Sequence, residues 1–338
     1  MTITKPQTAS LIDTFSEGYR AVNRRPWLII VPILVNLYIW FGTQLSFEPL
    51  LVNLTDVLRL SVGATEAGSL QTQPLDGLRT LSVVDMRQFV AVLNYIPLTI
   101  YAFNQNGTGG GALSLPMALP VPQWLGADQT SMIVIDNVGG ALLAFVVLNA
   151  VALPLSVAFL TSVAEAVRGD RTSAATWLRR MWRAVLALLG CIGILVGIGL
   201  ALGLPFLFFA TLLAWLSPAI AFVVLVLMWL ALLWARIYLG FAREAIVISG
   251  VGPLRALHAS FNIVRRNMMG TLGFLALSWL IAVGSGVLWL TLAQGSTVGL
   301  LVAIIGSAYL GSGLLAARMA FYRERLRRWQ NSAVRVTR

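Results

Sequence analysis

The chain holds few residues that could carry out covalent or metal chemistry. Its 338 residues include one histidine, His258, and one cysteine, Cys191. Metal-assisted hydrolysis and triad catalysis need several His, Cys, Asp, Glu or Ser side chains brought together, and a lone cysteine forms no disulfide within the chain and no thiolate metal site. His258 follows arginines on an amphipathic segment, where an interfacial or packing role is the simpler interpretation. The sequence therefore predicts no catalytic residue, cofactor site, metal ligand or enzyme activity.

Two asparagines, Asn36 and Asn149, fall near the middle of long apolar segments. Polar groups at that depth in a membrane either serve a function or link helices by hydrogen bonds. If the two segments form a hairpin, the amides could bond each other for roughly 0.6 kcal/mol. A link between helices is the favoured interpretation, and a polar substrate site is the alternative.

Arginine pairs precede three of the apolar segments at a shared distance from a bulky residue. We expect them to contact the phosphates of anionic lipids, at about 1 kcal/mol per charge near the surface. The shared spacing favours three hairpin repeats, each with an amphipathic lead-in helix; selection for positive loops alone is the other explanation. The paired residues are Arg24 and Arg25, Arg179 and Arg180, and Arg265 and Arg266.

The elements that must position these residues are membrane helices. Hydrophobic residues make up 58% of the chain and charged residues 11%, against about 25% charged in soluble domains. A net charge of +11 would suggest nucleic acid in a soluble protein. Here the arginines lie at the ends of apolar segments, which is the bias expected of cytoplasmic loops in a membrane protein. We therefore expect no nucleic-acid partner.

A helix needs about 20 apolar residues to cross the bilayer, which predicts an all-α polytopic bundle of about six spans. The domains are a cytoplasmic lead-in (1–26), span 1 (27–46), an extracytoplasmic segment (47–137), a bundle of spans 2–6 (138–320) and a basic cytoplasmic tail (321–338). The later spans are predicted near 138–162, 184–212, 218–242, 270–292 and 297–317.

Charge orients these spans. The segment 47–137 holds three arginines and seven acidic residues, whereas the segments on the other side hold Lys5 and 20 arginines against six acids. This positive-inside pattern predicts a multi-pass protein of the cell (inner) membrane with both termini cytoplasmic. An interfacial or re-entrant helix is expected near 89–103, with a seventh span as the alternative.

Short sequence patterns predict how the lead-in helices begin and how the spans pack. Ser10 and Asp13 have the spacing of a capping box, and an apolar stripe follows helical spacing along the segment before span 5. Glycines four residues apart, such as Gly193 and Gly197, predict close helix packing. Packing inside the bundle is the simpler interpretation, and an interface with a partner protein is the more specific alternative.

Two stretches, Phe15–Pro32 and Phe241–Leu275, carry a family resemblance. Their sequence resembles the integral membrane domain attached to some glycerophosphodiester phosphodiesterases, and related stand-alone bacterial membrane proteins. The resemblance implies a helical membrane domain, without the separate soluble catalytic barrel and its two histidines. The matching positions are Gly252, Ala256, Leu257, Ser260, Arg265 and Arg266.

The sequence therefore favours a non-catalytic integral membrane protein, a lipid-contacting scaffold or accessory subunit of a membrane complex. The alternative is a transporter or channel for a small neutral or lipid-like solute. Expected partners are anionic headgroups on the cytoplasmic side and other membrane proteins.

Overall fold

A computed structural model describes residues 10–46, 132–170 and 172–336, together with 49–50, 52–53, 56–57 and 96. The described elements are overwhelmingly helical. In chain order they are α1 (Leu11–Arg24), a 3₁₀ turn (Pro26–Ile29), α2 (Ile30–Phe41), β1 (Gln44–Ser46), β2 (Met132–Val134), α3 (Val138–Arg168), α4 (Ala174–Leu216), α5 (Pro218–Leu239), α6 (Ala242–Ser249), α7 (Pro253–Arg266), α8 (Met268–Gly295) and α9 (Thr297–Val336).

Among the described residues, five helices are long and apolar enough to cross a membrane. The predicted all-α, polytopic membrane fold is therefore confirmed, and the chain is a membrane-embedded, multi-pass protein. The five are Val138–Arg168, Ala174–Leu216, Ala219–Ser249, Met268–Gly295 and Thr297–Gln330.

The first predicted span differs from the other five. α1 and the helical stretch Pro26–Phe41 meet at an angle of 95°, and they make a sixth span only if the bent pair is counted as one. The helix also ends before the predicted limit of 46, because Gly42 takes an extended conformation and β1 follows. The bend falls where Pro26 disfavours helical backbone at the residue before it.

Tight turns join predicted spans 3 and 4 and predicted spans 5 and 6. α4 ends at Leu216, Ser217 is extended, and Pro218 begins α5, where its fixed φ suits the first helical position. α8 ends at Gly295 and α9 begins at Thr297. Both turns fall in the gaps that the predicted spans leave along the chain.

The predicted basic tail, 321–338, continues the last helix up to residue 336. α9 runs unbroken from Thr297 to Val336, because no glycine or proline follows Gly313 in that stretch. A salt bridge between Glu324 and Arg328, one helical turn apart, supports the continuation.

The chain divides into two compact units. The first contains the described residues of 1–25, 157–278 and 313–338. An aromatic stack runs through its core: ring centroids lie 5.0 Å apart for Phe15 and Phe274, 4.7 Å for Phe274 and Phe321, and 5.7 Å for Phe321 and Phe241. The stack joins side chains of α1, α8 and α9 to the residue that precedes α6.

Two of the predicted lead-in helices are alike in this unit. α1 and α7 both have 14 residues and both end before a non-helical residue, Arg25 and Asn267 respectively. The third lead-in continues without a break into its span, within α4. The two breaks fit the predicted repeat, whereas the continuous helix departs from it.

The predicted capping box at the start of α1 is confirmed. The Ser10 hydroxyl accepts a hydrogen bond from the Asp13 backbone N–H, and the Asp13 carboxylate accepts from the Ser10 backbone N–H. Hydrogen bonds from the Ser10 hydroxyl and backbone lower the pKa of the Asp13 carboxyl.

The second unit contains the described residues of 26–156 and 279–312. In its core, Ile39 and Trp40 pack with Ala293, Leu300 and Ile304. β1 pairs in parallel with β2, and Ile135 beside them packs on the start of α3. The predicted interfacial helix near 89–103 lies outside the described residues, apart from Ile96.

Candidate functional site

The most deeply buried charged group described is Glu244 on α6. Its side chain is 0% exposed, and its Oε1 lies 2.7 Å from Arg243 Nη2 and 2.7 Å from Arg318 Nε. Arg318 also donates to the Gly240 carbonyl and lies over the Phe241 ring. A buried carboxylate is tolerated only with such close partners, so Glu244 joins α6 to α9.

The glutamate near the end of α3 has its own cationic partner. Glu165 lies 3.6 Å from Arg25 Nη1 and accepts a hydrogen bond from Thr172. Arg25 Nη2 also donates to the Asp170 carbonyl at 2.6 Å. Arg25 therefore ties the end of α1 to the loop after α3.

A pocket of about 610 Å³ lies beside these links, within the first unit. It is bounded by the end of α3, the first turns of α4, the last residues of α6 and the loop 250–252. Its volume falls within the range of about 300–1,000 Å³ that is usual for small-molecule sites. The polar side chains in its lining are Thr161, Arg168, Asp170, Thr176, Arg180, Arg183 and Ser249.

Glycines at two positions shape the pocket. Gly190 on α4 allows Pro253 to approach closely, because a Cβ at 190 would lie 2.8 Å from Pro253 Cγ. Gly250 ends α6 in the left-handed conformation, with φ +65°, which glycine adopts without steric cost. The chain can therefore turn sharply between α6 and α7 and present backbone to the pocket.

Two lining groups have unused hydrogen-bonding capacity. Arg168 Nη1 donates to the Val247 and Ile248 carbonyls at 3.1 and 3.0 Å, and Nε lies 3.2 Å from Asp170 Oδ2. Among the described residues, however, Arg168 Nη2 and the Thr161 hydroxyl have no hydrogen-bond partner, although both atoms are buried. A buried polar group left unpaired costs about 1–3 kcal/mol.

The structure separates the predicted arginine pairs into two classes. Arg25 and Arg180 are half-buried, and Arg180 lines the pocket. The other members are exposed, and Arg266 lies over the Trp329 ring at 5.4 Å. The exposed members are Arg24, Arg179, Arg265 and Arg266.

The predicted asparagine pair lies in the second unit. Asn36 is buried and donates to the Pro32 carbonyl at 2.7 Å, and Asn149 donates to the Phe145 carbonyl at 2.8 Å. Both of these bonds stay within the residue's own helix. The bond between the two amides remains a prediction.

The single histidine and cysteine differ in exposure. His258 is exposed on α7, and Cys191 is buried in α4 with a free thiol. Among the described residues, no group of three His, Cys, Asp or Glu side chains comes together to hold a metal ion.

Ser260 and Ala256, two positions of the family resemblance, are fully buried. The Ser260 hydroxyl accepts from the Phe241 N–H at 3.0 Å and donates to the Tyr238 carbonyl at 2.7 Å. Ser260 therefore fastens α7 to the junction of α5 and α6. The bulky apolar residues Leu254 and Phe261 on the same helix are exposed.

The sequence did not lead us to expect the burial of Glu244. The order Phe-x-Arg-Glu occurs at 241–244 and again at 321–324, but Glu324 is only half-buried, so the repeat alone does not reveal the burial of Glu244. The repeat marks equivalent ends of two spans, and it places buried phenylalanines beside charged residues.

Comparison with protein-family models, curated proteins and solved structures finds no match to this chain. The resemblance to the membrane domain of glycerophosphodiester phosphodiesterases therefore remains a prediction.

Proposed function

We propose that this chain is a non-catalytic, lipid-contacting scaffold or accessory subunit of a membrane complex, which offers the α4–α5 hairpin to a neighbouring membrane protein. The single observation behind this proposal is that the hairpin is uncovered. Between residues 192 and 239, Ala210 and Ala221 are the only described side chains that are buried.

The hairpin also has a face suited to close helix contact. A Cβ added at any of four glycines of α4 would meet none of the described atoms within 4 Å. Helical periodicity places Val196 and Leu200 between these glycines on the same face. Small residues let membrane helices approach closely, where apolar burial alone gives little drive to associate. The glycines are Gly193, Gly197, Gly199 and Gly203.

We place the protein in the cell membrane with its arginine-rich ends in the cytoplasm, as the charge distribution favours. The exposed arginines at the ends of the lead-in helices then face anionic headgroups. A transporter or channel for a neutral solute is less favoured, because the described bonds of Asn36 and Asn149 run within their own helices.

The test is purification of the full-length protein from its native membrane in mild detergent, with quantitative mass spectrometry of the proteins that accompany it. Replacing Gly193 and Gly197 by leucine fills the open face and should release the partner. The matched control replaces Ala231 and Ala235 by leucine, which adds similar bulk to exposed positions on α5.

The proposal predicts that the glycine variant loses its partner while the alanine variant keeps it. Isolation of the wild-type protein alone with lipid in every mild detergent would show that it is not a subunit. Equal partner recovery from both variants would show that the glycine face is not the contact.

A further inference from the structure

The pocket at the end of α3 has the chemistry of an anion site. Among the residues that the structure describes, three arginines, Arg168, Arg180 and Arg183, line it against one acid, Asp170. The acid already has a partner, since its Oδ2 lies 3.2 Å from Arg168 Nε. The lining therefore has a positive balance that nothing within it offsets.

Two buried hydrogen-bond donors in the lining have no acceptor among the described residues. Thr161 is 2% exposed, and its hydroxyl has no hydrogen-bond partner in the described part of the chain. The same holds for Arg168 Nη2, whose guanidinium is already fixed by the Val247 and Ile248 carbonyls. A guanidinium held in place is suited to bind a phosphate through paired N–H donors.

The loop between α6 and α7 also favours an anion in the pocket. Gly252 lines the pocket and precedes Pro253 at the start of α7. No described side chain caps this helix terminus, and the N-terminus of a helix favours negative charge.

We propose that this pocket binds the phosphate group of a phosphate ester, with Arg180, Arg183, Arg168 Nη2 and the Thr161 hydroxyl as its donors. A volume of about 610 Å³ accommodates an organic group beside the phosphate. A lipid headgroup and a soluble phosphate ester share this chemistry. The inference stands apart from the hairpin proposal, since it concerns different residues.

Two probes distinguish the sources, both used on the full-length protein. The first is glycerol 3-phosphate, titrated calorimetrically into delipidated protein in a neutral detergent. The second is phosphatidylglycerol, counted by native mass spectrometry after reconstitution with phosphatidylcholine and mild extraction.

The test variant R180Q/R183Q removes two pocket charges. The control R20Q/R327Q removes two charges from exposed positions outside the lining. We expect the pocket variant to bind about tenfold more weakly for each arginine lost, and the control to match the wild type. T161V, which keeps charge and shape, should also weaken binding.

Saturable binding of glycerol 3-phosphate that the pocket variants weaken identifies a soluble phosphate ester as a ligand. Retention of phosphatidylglycerol alone, lost in the pocket variants, identifies a lipid headgroup. Failure of the wild type to bind either probe, or equal binding by pocket and control variants, overturns the proposal.

Discussion

The segment from Phe241 to Val247 around Glu244, called the junction below, and the α4–α5 hairpin belong to the same compact unit. They differ in which side chains are buried. At the junction every residue from Phe241 to Val247 is buried, including two charged ones. On the hairpin almost every described side chain is uncovered, including large apolar residues such as Trp215 and Phe222. Polar groups are packed inside one region while apolar groups face outward in the other, as a membrane solvent demands.

The comparison predicts that stability resides in the junction and that the hairpin is free to contact other molecules. Substitutions of the same kind should therefore lower the free energy of unfolding when made at the junction and change it little when made on the hairpin. Three paired substitutions and one single substitution at the start of α1 follow, in decreasing order of expected effect.

Replacing Glu244 by glutamine should have the largest effect. It leaves the Arg243 and Arg318 guanidiniums without their shared carboxylate, and breaking a buried pair costs about 3–5 kcal/mol. The free energy of unfolding in detergent measures the loss. Replacing the exposed Glu17 by glutamine is the control, and equal destabilisation by the two would contradict the assigned role of Glu244.

Gly18 on α1 and Gly193 on the hairpin compare a tightly packed position of the same unit with an uncovered one. A Cβ at Gly18 would overlap the Ala317 backbone, whereas a Cβ at Gly193 would meet nothing within 4 Å in the described part of the chain. Gly18→Ala should destabilise by about 1–3 kcal/mol through overpacking. Gly193→Ala should be neutral or slightly stabilising, because alanine favours helix. Thermal unfolding of the two variants gives the answer, and the reverse order would refute the comparison.

The same helices show what the sequence could predict. The ends of α4 and α8 were predictable, because Pro218 and Gly295 act locally. The burial of Glu244 was not, because it depends on Arg318 approaching from a distant helix. The pocket escaped prediction for the same reason: Arg168 and Arg180 come from different helices, and spacing along the chain does not reveal that they share a lining.

Ser260 and Thr211 form the third pair. The Ser260 hydroxyl bonds two backbone groups at the junction, whereas the Thr211 hydroxyl has one described bond, to the carbonyl of Phe208 on the exposed hairpin. Ser260→Ala should cost about 1–3 kcal/mol, since buried backbone groups lose their partner. Thr211→Ala should change the unfolding free energy far less. Similar losses would mean that the hairpin is as tightly packed as the junction.

The smallest effect is expected at the start of α1. Its capping contribution depends on ionised Asp13, whose pKa is lowered by the Ser10 hydroxyl and backbone. Stability from this carboxylate is present above the ordinary aspartate pKa of about 3.9 and is lost as pH falls through the lower folded value. Ser10→Ala should flatten this acid-side slope in unfolding experiments, and an unchanged slope would exclude the cap as its source.

The most direct test of the central claim is photo-crosslinking in native membranes from two exposed positions on α4. A photoreactive residue replaces Val196, on the glycine face, or Ile198, on the opposite face. We expect a discrete protein adduct from position 196 and lipid adducts from position 198. Lipid adducts alone from both positions would contradict it, and the hairpin would then be a surface for lipid rather than for a partner protein.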